Sequence, residues 1–274
     1  MSESKPLRAF HGNPALKQSC LDRVRAYREA GDIIQGTYGY SNDGSGWRGC
    51  AVGCLVHSDE HADFEDNLGI QRDIAHVLDK TFERMYKENA ELYPELFIES
   101  IPVGADLSLV IPRFLVECCD YLRKVEGSSL LIDSALGEFL TQVLRPWSQG
   151  YGMERGTAQT GYMNARIDAF ESLFREISRV VLVDADARHW DGETDVYDVT
   201  RYNRYCAQAL IWLSCAARER WGAECTGNSY PAAAIDEILS GALTLLGEPF
   251  RKSRAFGMSR TLLECLRTAP IPVS

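Results

Sequence analysis

Apolar residues recur at helical spacing along most of the chain, separated by short runs of glycine, proline and polar residues. The first such stretch begins at Asn13 and Pro14, where Asn can cap a helix and Pro suits its first turn, and continues to Gly36. A second runs from Ile70 to Tyr93. Only Val180 to Val183 is equally typical of a short strand. The pattern predicts an all-α fold of about nine or ten helices in an irregular bundle, with little or no strand.

Interruptions of this pattern predict where helices end and where the chain divides. Gly247, with Pro249 beyond it, predicts the end of a helix that begins at Pro231, and a further helix is expected from Ser259 to Arg267. Glycine, proline and polar residues are concentrated in 146–161, which predicts a linker or a long functional loop. We therefore expect a helical region over 1–145 and a second helical region over 162–274, unless the chain forms one continuous domain.

The charge balance limits the classes of partner. The chain has 29 Lys and Arg residues against 39 Asp and Glu residues, and its net charge is −10. Binding to nucleic acid relies on clustered Lys and Arg that neutralise phosphates, so this balance argues against it. An acidic surface favours solubility, and it also suits a protein partner.

Cysteine usage and hydropathy indicate the compartment. Nine cysteines are scattered along the chain, several of them in helical apolar patterns where a thiol packs as a small hydrophobe. No signal-peptide core follows the N-terminus, and no apolar run reaches about 18 residues. We therefore expect no membrane segment and a reducing, cytoplasmic location.

One segment carries an unusual set of chemical side chains. It reads GWRGCAVGCLVHSDEHADFEDNLGI, and it places Cys50, Cys54, His57, His61 and Glu65 at steps of 4, 3, 4 and 4. On a single helix, with about 100° per residue, these residues fall within an arc of roughly 80°. The spacing thus predicts one chemically equipped helix face.

A metal site is the first interpretation of this face, because thiolate, imidazole and carboxylate are the usual ligands of zinc. The first and last residues would lie roughly 22 Å apart on a straight helix, so one ion cannot reach all five. The predicted metal ligands are therefore Cys54, His57 and His61, and Cys50 and Glu65 join them only if the helix breaks near Ser58. The competing interpretation is a partly buried helix whose polar groups are satisfied by their neighbours.

Cys50 supports a different hypothesis. It follows a glycine-rich loop and opens a helix, where the helix dipole lowers the pKa of a thiol. Such a thiolate is the nucleophile of cysteine hydrolases and transferases. Its base would have to come from His11, His76 or His189.

The same part of the chain resembles an uncharacterised group of bacterial and phage proteins. The shared features are GTYG, GCAVGC, HS, H, E and LGI, followed by a helix like AHVLDKTFE and a turn like IPVGADLS. The similarity extends from about Leu16 to Val110, and Gln71 replaces the proline expected after LGI. The resemblance implies a phage or mobile-element context and no particular activity.

Three functions are therefore open from the sequence. The first is a metal-dependent helical protein that uses the cysteine and histidine cluster. The second is a non-enzymatic protein that binds a host protein complex and inhibits or modulates it. The third is a thiol enzyme that uses Cys50.

Overall fold

The computed structural model of the protein describes residues 7–37, 40–42, 46–58, 63–122, 130–151, 157–186, 199–219 and 229–272. The α-helices within these ranges are α1 Pro14–Ala30, α2 Ala51–Val56, α3 Asp63–Leu68, α4 Arg72–Arg84, α5 Lys87–Ser100, α6 Val110–Leu122, α7 Leu130–Phe139, α8 Arg145–Ser148, α9 Ala158–Asp186, α10 Val199–Glu219 and α11 Tyr230–Arg267. A 3₁₀-helix at Ala9–Gly12 precedes α1, and a π-helix at Leu140–Leu144 joins α7 to α8. The predicted all-α fold is confirmed.

The described strands are short. β1, Tyr40–Asn42, pairs antiparallel with β2, Gly46–Arg48, with Ser41 opposite Trp47. A single parallel bridge joins Ile33 to Gly49. This hairpin leads directly into α2, so it sets where that helix begins.

The chain folds into two compact units. The first comprises Met1–Ile111 and Ala255–Ser274, and the second comprises Pro112–Arg254. The divisions therefore fall inside α6 and inside α11. The predicted linker at 146–161 stays a prediction, and its residues 152–156 lie outside the described chain.

The core of the first unit is built around α2. All six residues of α2 are buried, and the helix packs against α1, α3, α4 and α5. Phe64, Phe82 and Phe97 fill the space around it, each fully buried. A helix that is apolar on every side is typical of a core element, and α2 accordingly offers no face to solvent.

The second unit is organised by the long helices α9 and α10, which pack along each other. The ring of Phe139, at the end of α7, lies edge-on to those of Phe170 and Phe174 on α9, with 5.3 Å between ring centroids in both pairs. Such edge-to-face pairs add about 0.5–1.5 kcal/mol each beyond their buried area. The predicted alternative of a strand at Val180 to Val183 is wrong, because these residues belong to α9.

The first predicted helix ends earlier than the sequence pattern indicates. Gly31, not Gly36, terminates α1: it adopts a left-handed φ of 72°, and its N–H donates to the carbonyls of Arg28 and Tyr27. Glycine reaches this conformation without a steric penalty. The apolar residues beyond Gly31, which extended the helical pattern, therefore belong to a loop. Ile33 of this loop is buried.

The predicted helix from Ile70 to Tyr93 is two helices, because Met85 is extended. The side-chain amide of Gln35 donates to the carbonyls of Phe82, at 2.6 Å, and Met85, at 3.1 Å. A residue nearly fifty positions away thus satisfies carbonyls left without partners at the end of α4.

The predicted helix end at Gly247 is also wrong. α11 continues past it with Pro249 in its interior. An interior proline costs about 3 kcal/mol. Buried apolar residues on both sides of it, such as Ile238 and Leu262, offset that cost.

Candidate functional site

Cys50 lies at the start of α2 and is completely buried. Its sulfur caps the helix by accepting a hydrogen bond from the backbone N–H of Gly53 at 3.4 Å. Its thiol donates to the carboxylate of Asp79 on α4, and burial, followed by the charge of Asp79, raises its pKa. A thiol in this setting stays protonated. The assignment of Cys50 as a nucleophile stays a prediction, while the geometry makes it a helix cap.

The histidines considered as its base lie in different surroundings. The imidazole of His11 contacts the backbone carbonyl oxygen of Asp66, 2.9 Å from its Nε2 atom. His76 is a half-buried residue of α4. His189 lies outside the described residues.

Cys54 is buried in the same helix. Its thiol lies 3.4 Å from the carbonyl of Gly49 and 3.8 Å from the carbonyl of Asp32. Burial raises the pKa of this thiol to about 12. Cys54 therefore holds α2 against the preceding loop as a neutral donor.

His57 ends α2. It adopts a left-handed φ of 56°, which is uncommon outside glycine but is found for histidine more often than for most residues. Its Nδ1 atom contacts the hydroxyl of Tyr27, and its ring centroid lies 5.1 Å from that of Trp47. The imidazole is thus directed towards an aromatic pair.

Glu65 lies on α3 and caps the next helix. Its carboxylate accepts a hydrogen bond from the backbone N–H of Arg72, the first residue of α4, at 3.1 Å. A carboxylate at a helix N-terminus is stabilised by the orphan N–H groups and the helix dipole. This role is structural.

The predicted metal cluster of Cys54, His57, His61 and Glu65 is wrong. Across the residues that the structure describes, no three His, Cys, Asp or Glu side chains are grouped so that they could hold a metal ion. His61 lies outside those residues. The reason is the break at His57: Cys54 remains in the core, and Glu65 belongs to a second helix with its own hydrogen bonds. The described chain thus supplies no site for the expected zinc ion.

Asp79 and Glu83 lie one turn apart on α4. Glu83 accepts a hydrogen bond from the backbone N–H of Gly36 at 2.6 Å. Burial raises the pKa of Glu83 to about 7, and the charge of Asp79 adds to the effect, whereas the Gly36 hydrogen bond, Arg84 and Lys80 lower it. The charge of this side chain consequently changes near neutral pH.

A groove with a volume of about 570 Å³ lies between α5 and residues 256–267 of α11, within the first unit. We call it the α5–α11 groove. It extends along α5 from Asn89 to Leu96 and along α11 from Phe256 to Arg267. At about 1.5 Å per residue, these walls span roughly 10 Å and 16 Å. The groove is therefore two to three helical turns long.

The floor and the walls of the groove are apolar. Tyr93 and Leu263 are buried at its floor. The hydroxyl of Tyr93 accepts a hydrogen bond from Thr81 at 3.1 Å, which holds the ring in place. Leu96 and Phe256, one on each wall, are 41% and 38% exposed. Large apolar side chains left half in water across a concave surface are typical of interaction sites.

α5 carries a further exposed apolar side chain beside the groove. Leu92 is 44% exposed, and it lies one turn before Leu96. Residues three or four apart share one helix face, so Asn89, Leu92 and Leu96 form a stripe.

The rim on α11 is basic. Arg260 and Arg267 line the groove together with Glu264. Arg267 lies 3.5 Å from Glu264, and both are exposed. No ion pair joins Arg260 to any other residue in the part of the chain that the structure describes. The groove thus carries a positive charge on a protein with a net charge of −10.

Gly257 leaves the groove open on the α11 side. A Cβ atom at this position would meet no other atom within 4 Å. A larger side chain could therefore enter the groove without displacing the backbone.

The sequence contained one signal of this surface. The stretch KENAELYPELFIES places apolar residues on both sides of α5: Phe97 and Ile98 are buried, while Leu92 and Leu96 are exposed. A second apolar face on a helix indicates that this face also packs against another element or a partner. Which element lies opposite that face is a matter of tertiary structure.

The fold and the groove together define an all-α protein with an open, basic and apolar interhelical groove. No protein-family model, curated protein or solved structure matches the chain. Among the described helices, none combines the length and apolar character needed to cross a membrane.

Proposed function

We propose that the protein is a non-enzymatic binding protein whose α5–α11 groove receives an acidic, amphipathic helix of a partner protein. The observation that carries this proposal is the pair of half-exposed side chains, Leu96 and Phe256, that face a groove of about 570 Å³. A helix laid into such a groove buries its apolar face at spacings of i, i+3, i+4 and i+7.

The length of the groove favours a helix over a small ligand. Its walls span two to three turns, and Leu92 adds an exposed apolar side chain beside the α5 wall.

The charge of the rim favours an acidic partner. Arg260 and Arg267 are exposed on α11, and Glu264 offsets one of the two charges. Carboxylates on the flank of a docked helix would pair with Arg260. Rim charges chiefly select the partner and speed its association, and they add little affinity.

Two further expectations belong to the same proposal. A cytoplasmic location is supported by buried cysteines, such as Cys54 and Cys119, which pack as small apolar groups. The phage or mobile-element context implied by the Leu16 to Val110 segment stays a prediction.

The proposal is tested with two synthetic peptides of about four helical turns that share Leu and Phe at positions i, i+3, i+4 and i+7. One carries Glu at its flanking positions and the other carries Lys. Fluorescence anisotropy should show micromolar binding of the Glu peptide and weaker binding of the Lys peptide. Arg260→Glu should reduce that preference about two- to fivefold, as expected for an exposed charge pair.

Substitutions in the groove locate the binding. Leu96→Glu should weaken binding of the Glu peptide at least about tenfold, which corresponds to about 1.4 kcal/mol. Leu173→Glu, on α9 and also 41% exposed, is the matched control and should leave binding unchanged. Gly257→Leu should block the groove without lowering stability, because it removes a helical glycine and meets no neighbouring atom.

Several results would overturn the proposal. The proposal fails if neither peptide binds more tightly than the millimolar range. It also fails if Gly257→Leu leaves peptide binding intact. Sedimentation velocity gives an independent check: a dimer of the wild-type chain that Leu96→Glu dissociates would identify a second copy as the occupant instead.

A further inference from the structure

A second pocket, wholly within the second unit, has different chemistry. It has a volume of about 430 Å³ and is lined by side chains from the π-helix, from the turn after α8 and from the start of α9. We call it the π-turn pocket. Tyr151 and Tyr162 line it and are 40% and 52% exposed, so two aromatic rings are left largely in water. Part of its lining belongs to 146–161, the segment that the sequence marks as a linker or a long functional loop.

The π-helix contributes directly to this pocket. Thr141 and Gln142 belong to it, and both line the pocket. Single π-turns in α-helical segments are rare and occur frequently at functional sites, because the wider turn redirects side chains at some cost in helix stability. Here it brings Gln142 within reach of α9.

A fixed arginine forms the polar side of the π-turn pocket. Arg166, on α9, donates from Nη1 to the side-chain carbonyl of Gln142, and the amide nitrogen of Gln142 donates in turn to Glu138. The guanidinium also lies over the ring of Tyr162, 4.6 Å from its centroid. These contacts orient the guanidinium before any ligand arrives.

The same guanidinium retains an unused donor. The Nε atom of Arg166 is buried and has no hydrogen-bond acceptor among the described residues. Other arginines, such as Arg23 and Arg72, also have a buried Nε without an acceptor among the described residues, but Arg166 is the one whose side chain lines this pocket, where a ligand can accept from it. No Asp or Glu is among the described residues that line the pocket. A ligand with an anionic group would supply an acceptor that these lining residues do not.

We propose that the π-turn pocket binds a small molecule in which a flat ring carries an anionic group. The anion accepts hydrogen bonds from Arg166, whose planar fork suits carboxylate and phosphate oxygens. The ring packs against the exposed faces of Tyr151 and Tyr162, and Thr141 and Gln149 offer further hydrogen bonds at the wall. The volume is within the range of ordinary small-molecule sites.

Two classes of molecule share this chemistry, namely aromatic carboxylates and nucleoside monophosphates. The experiment is a titration of the full chain by isothermal calorimetry and by saturation-transfer NMR. The probes are 4-hydroxybenzoate and AMP, with phenol and adenosine as rings that lack the anion. We expect one or both anions to bind, at least about tenfold more tightly than the uncharged ring that corresponds to it. Which anion binds distinguishes the two sources.

Variants show whether the binding is at this pocket. Arg166→Gln should weaken binding of the anion at least about tenfold, and Tyr162→Leu should also weaken it, because it removes a ring face and the cation–π contact that helps to orient the guanidinium. Arg179→Gln is the matched control, because Arg179 is an exposed arginine of the same helix, α9, paired with Glu176. Thermal unfolding of each variant confirms that it is folded.

The proposal fails if neither anion binds at about 10 mM, the weak end of measurable affinity. It also fails if a folded Arg166→Gln variant binds as tightly as the Arg179→Gln control, or if the uncharged rings bind as tightly as the anions. The result is independent of the α5–α11 groove, because no residue of the π-turn pocket lines that groove.

Discussion

At the scale of single residues, Cys50 joins two helices through one sulfur atom. The sulfur accepts from Gly53 at the start of α2, and the thiol donates to Asp79 in the middle of α4. Serine and asparagine are the usual caps because their oxygens accept in the same way. A cysteine suits this place because the site is fully buried and a thiol is more apolar than a hydroxyl.

Replacing Cys50 tests this structural role. Cys50→Ala removes a helix cap, which costs about 1 kcal/mol of stability. It also removes a hydrogen-bond donor to a buried carboxylate, which costs about 1–3 kcal/mol. We expect the free energy of unfolding in urea to fall by about 2–4 kcal/mol by the same estimates. Cys50→Ser keeps an acceptor and a donor and should lose clearly less. Equal losses for the two variants would show that the hydrogen bonds contribute nothing.

At the scale of elements, the break between α4 and α5 depends on a loop that is distant in sequence. Gln35 reaches the carbonyls of Phe82 and Met85, and the N–H of the next residue, Gly36, binds Glu83. Three hydrogen bonds therefore hold this loop to the last turn of α4. Without them, the last carbonyls of the helix would need water or a further helical turn.

Gln35→Ala should loosen the end of α4. The loss of two hydrogen bonds from a half-buried amide is expected to cost about 1–2 kcal/mol of stability. Hydrogen exchange should become faster at the amides of the last turn of α4, and the first turn of that helix should be unaffected. Gln18→Ala is the control, because the amide of Gln18 bonds only the exposed side chain of Asp22. If the control accelerates exchange at α4 equally, the Gln35 amide is not the cause.

At the scale of the whole molecule, one side chain links stability to pH near neutrality. The pKa of Glu83 in the folded protein is about 7, against an ordinary value of 4.5. Because the pKa is raised, folding favours the protonated form, and the contribution to stability is largest below pH 4.5. It falls as the pH rises from 4.5 to about 7 and is constant above that. Asp79, Lys80 and Arg84 are the charged groups that act on it.

Glu83→Gln should remove this part of the pH dependence. Glutamine is neutral throughout and can still accept the N–H of Gly36. We expect urea unfolding to show a smaller decrease in stability between about pH 4 and about pH 8, which lie on either side of the range from 4.5 to about 7. Glu91→Gln, on α5 and partly exposed, should leave the profile of the wild type unchanged. An identical profile for Glu83→Gln and the wild type would contradict the raised pKa.

Much of the fold follows from local pattern. Asn13 caps α1 and Pro14 stands at its first position, as predicted. Pro112 falls within the first turn of α6, where the missing N–H has no cost. The apolar spacing of residues 163–181 also lies within one helix, α9. These features depend on neighbours within a few residues, which the sequence shows directly.

The candidate sites could not be predicted from local sequence pattern in the same way. The Cys50 to Glu65 pattern was compatible with one exposed helix face, but α2 is buried on every side and ends at His57. The α5–α11 groove joins residues about 160 positions apart, such as Leu96 and Phe256. The sequence indicated a second apolar face on α5, and it contained no indication of the element opposite.

The sequence by itself determined the all-α class, the acidic charge and most helix starts, because propensity, capping and apolar period act within a few residues. Tertiary structure alone decided which helices became core, where α4 ended and which exposed faces became grooves. The helix break at His57 and the burial of Cys54 removed the predicted metal cluster, since the Cys54 thiol donates to the carbonyls of Gly49 and Asp32 and Glu65 caps α4. The physical reason is that burial and pairing depend on what packs against a residue, which spacing along the chain does not specify.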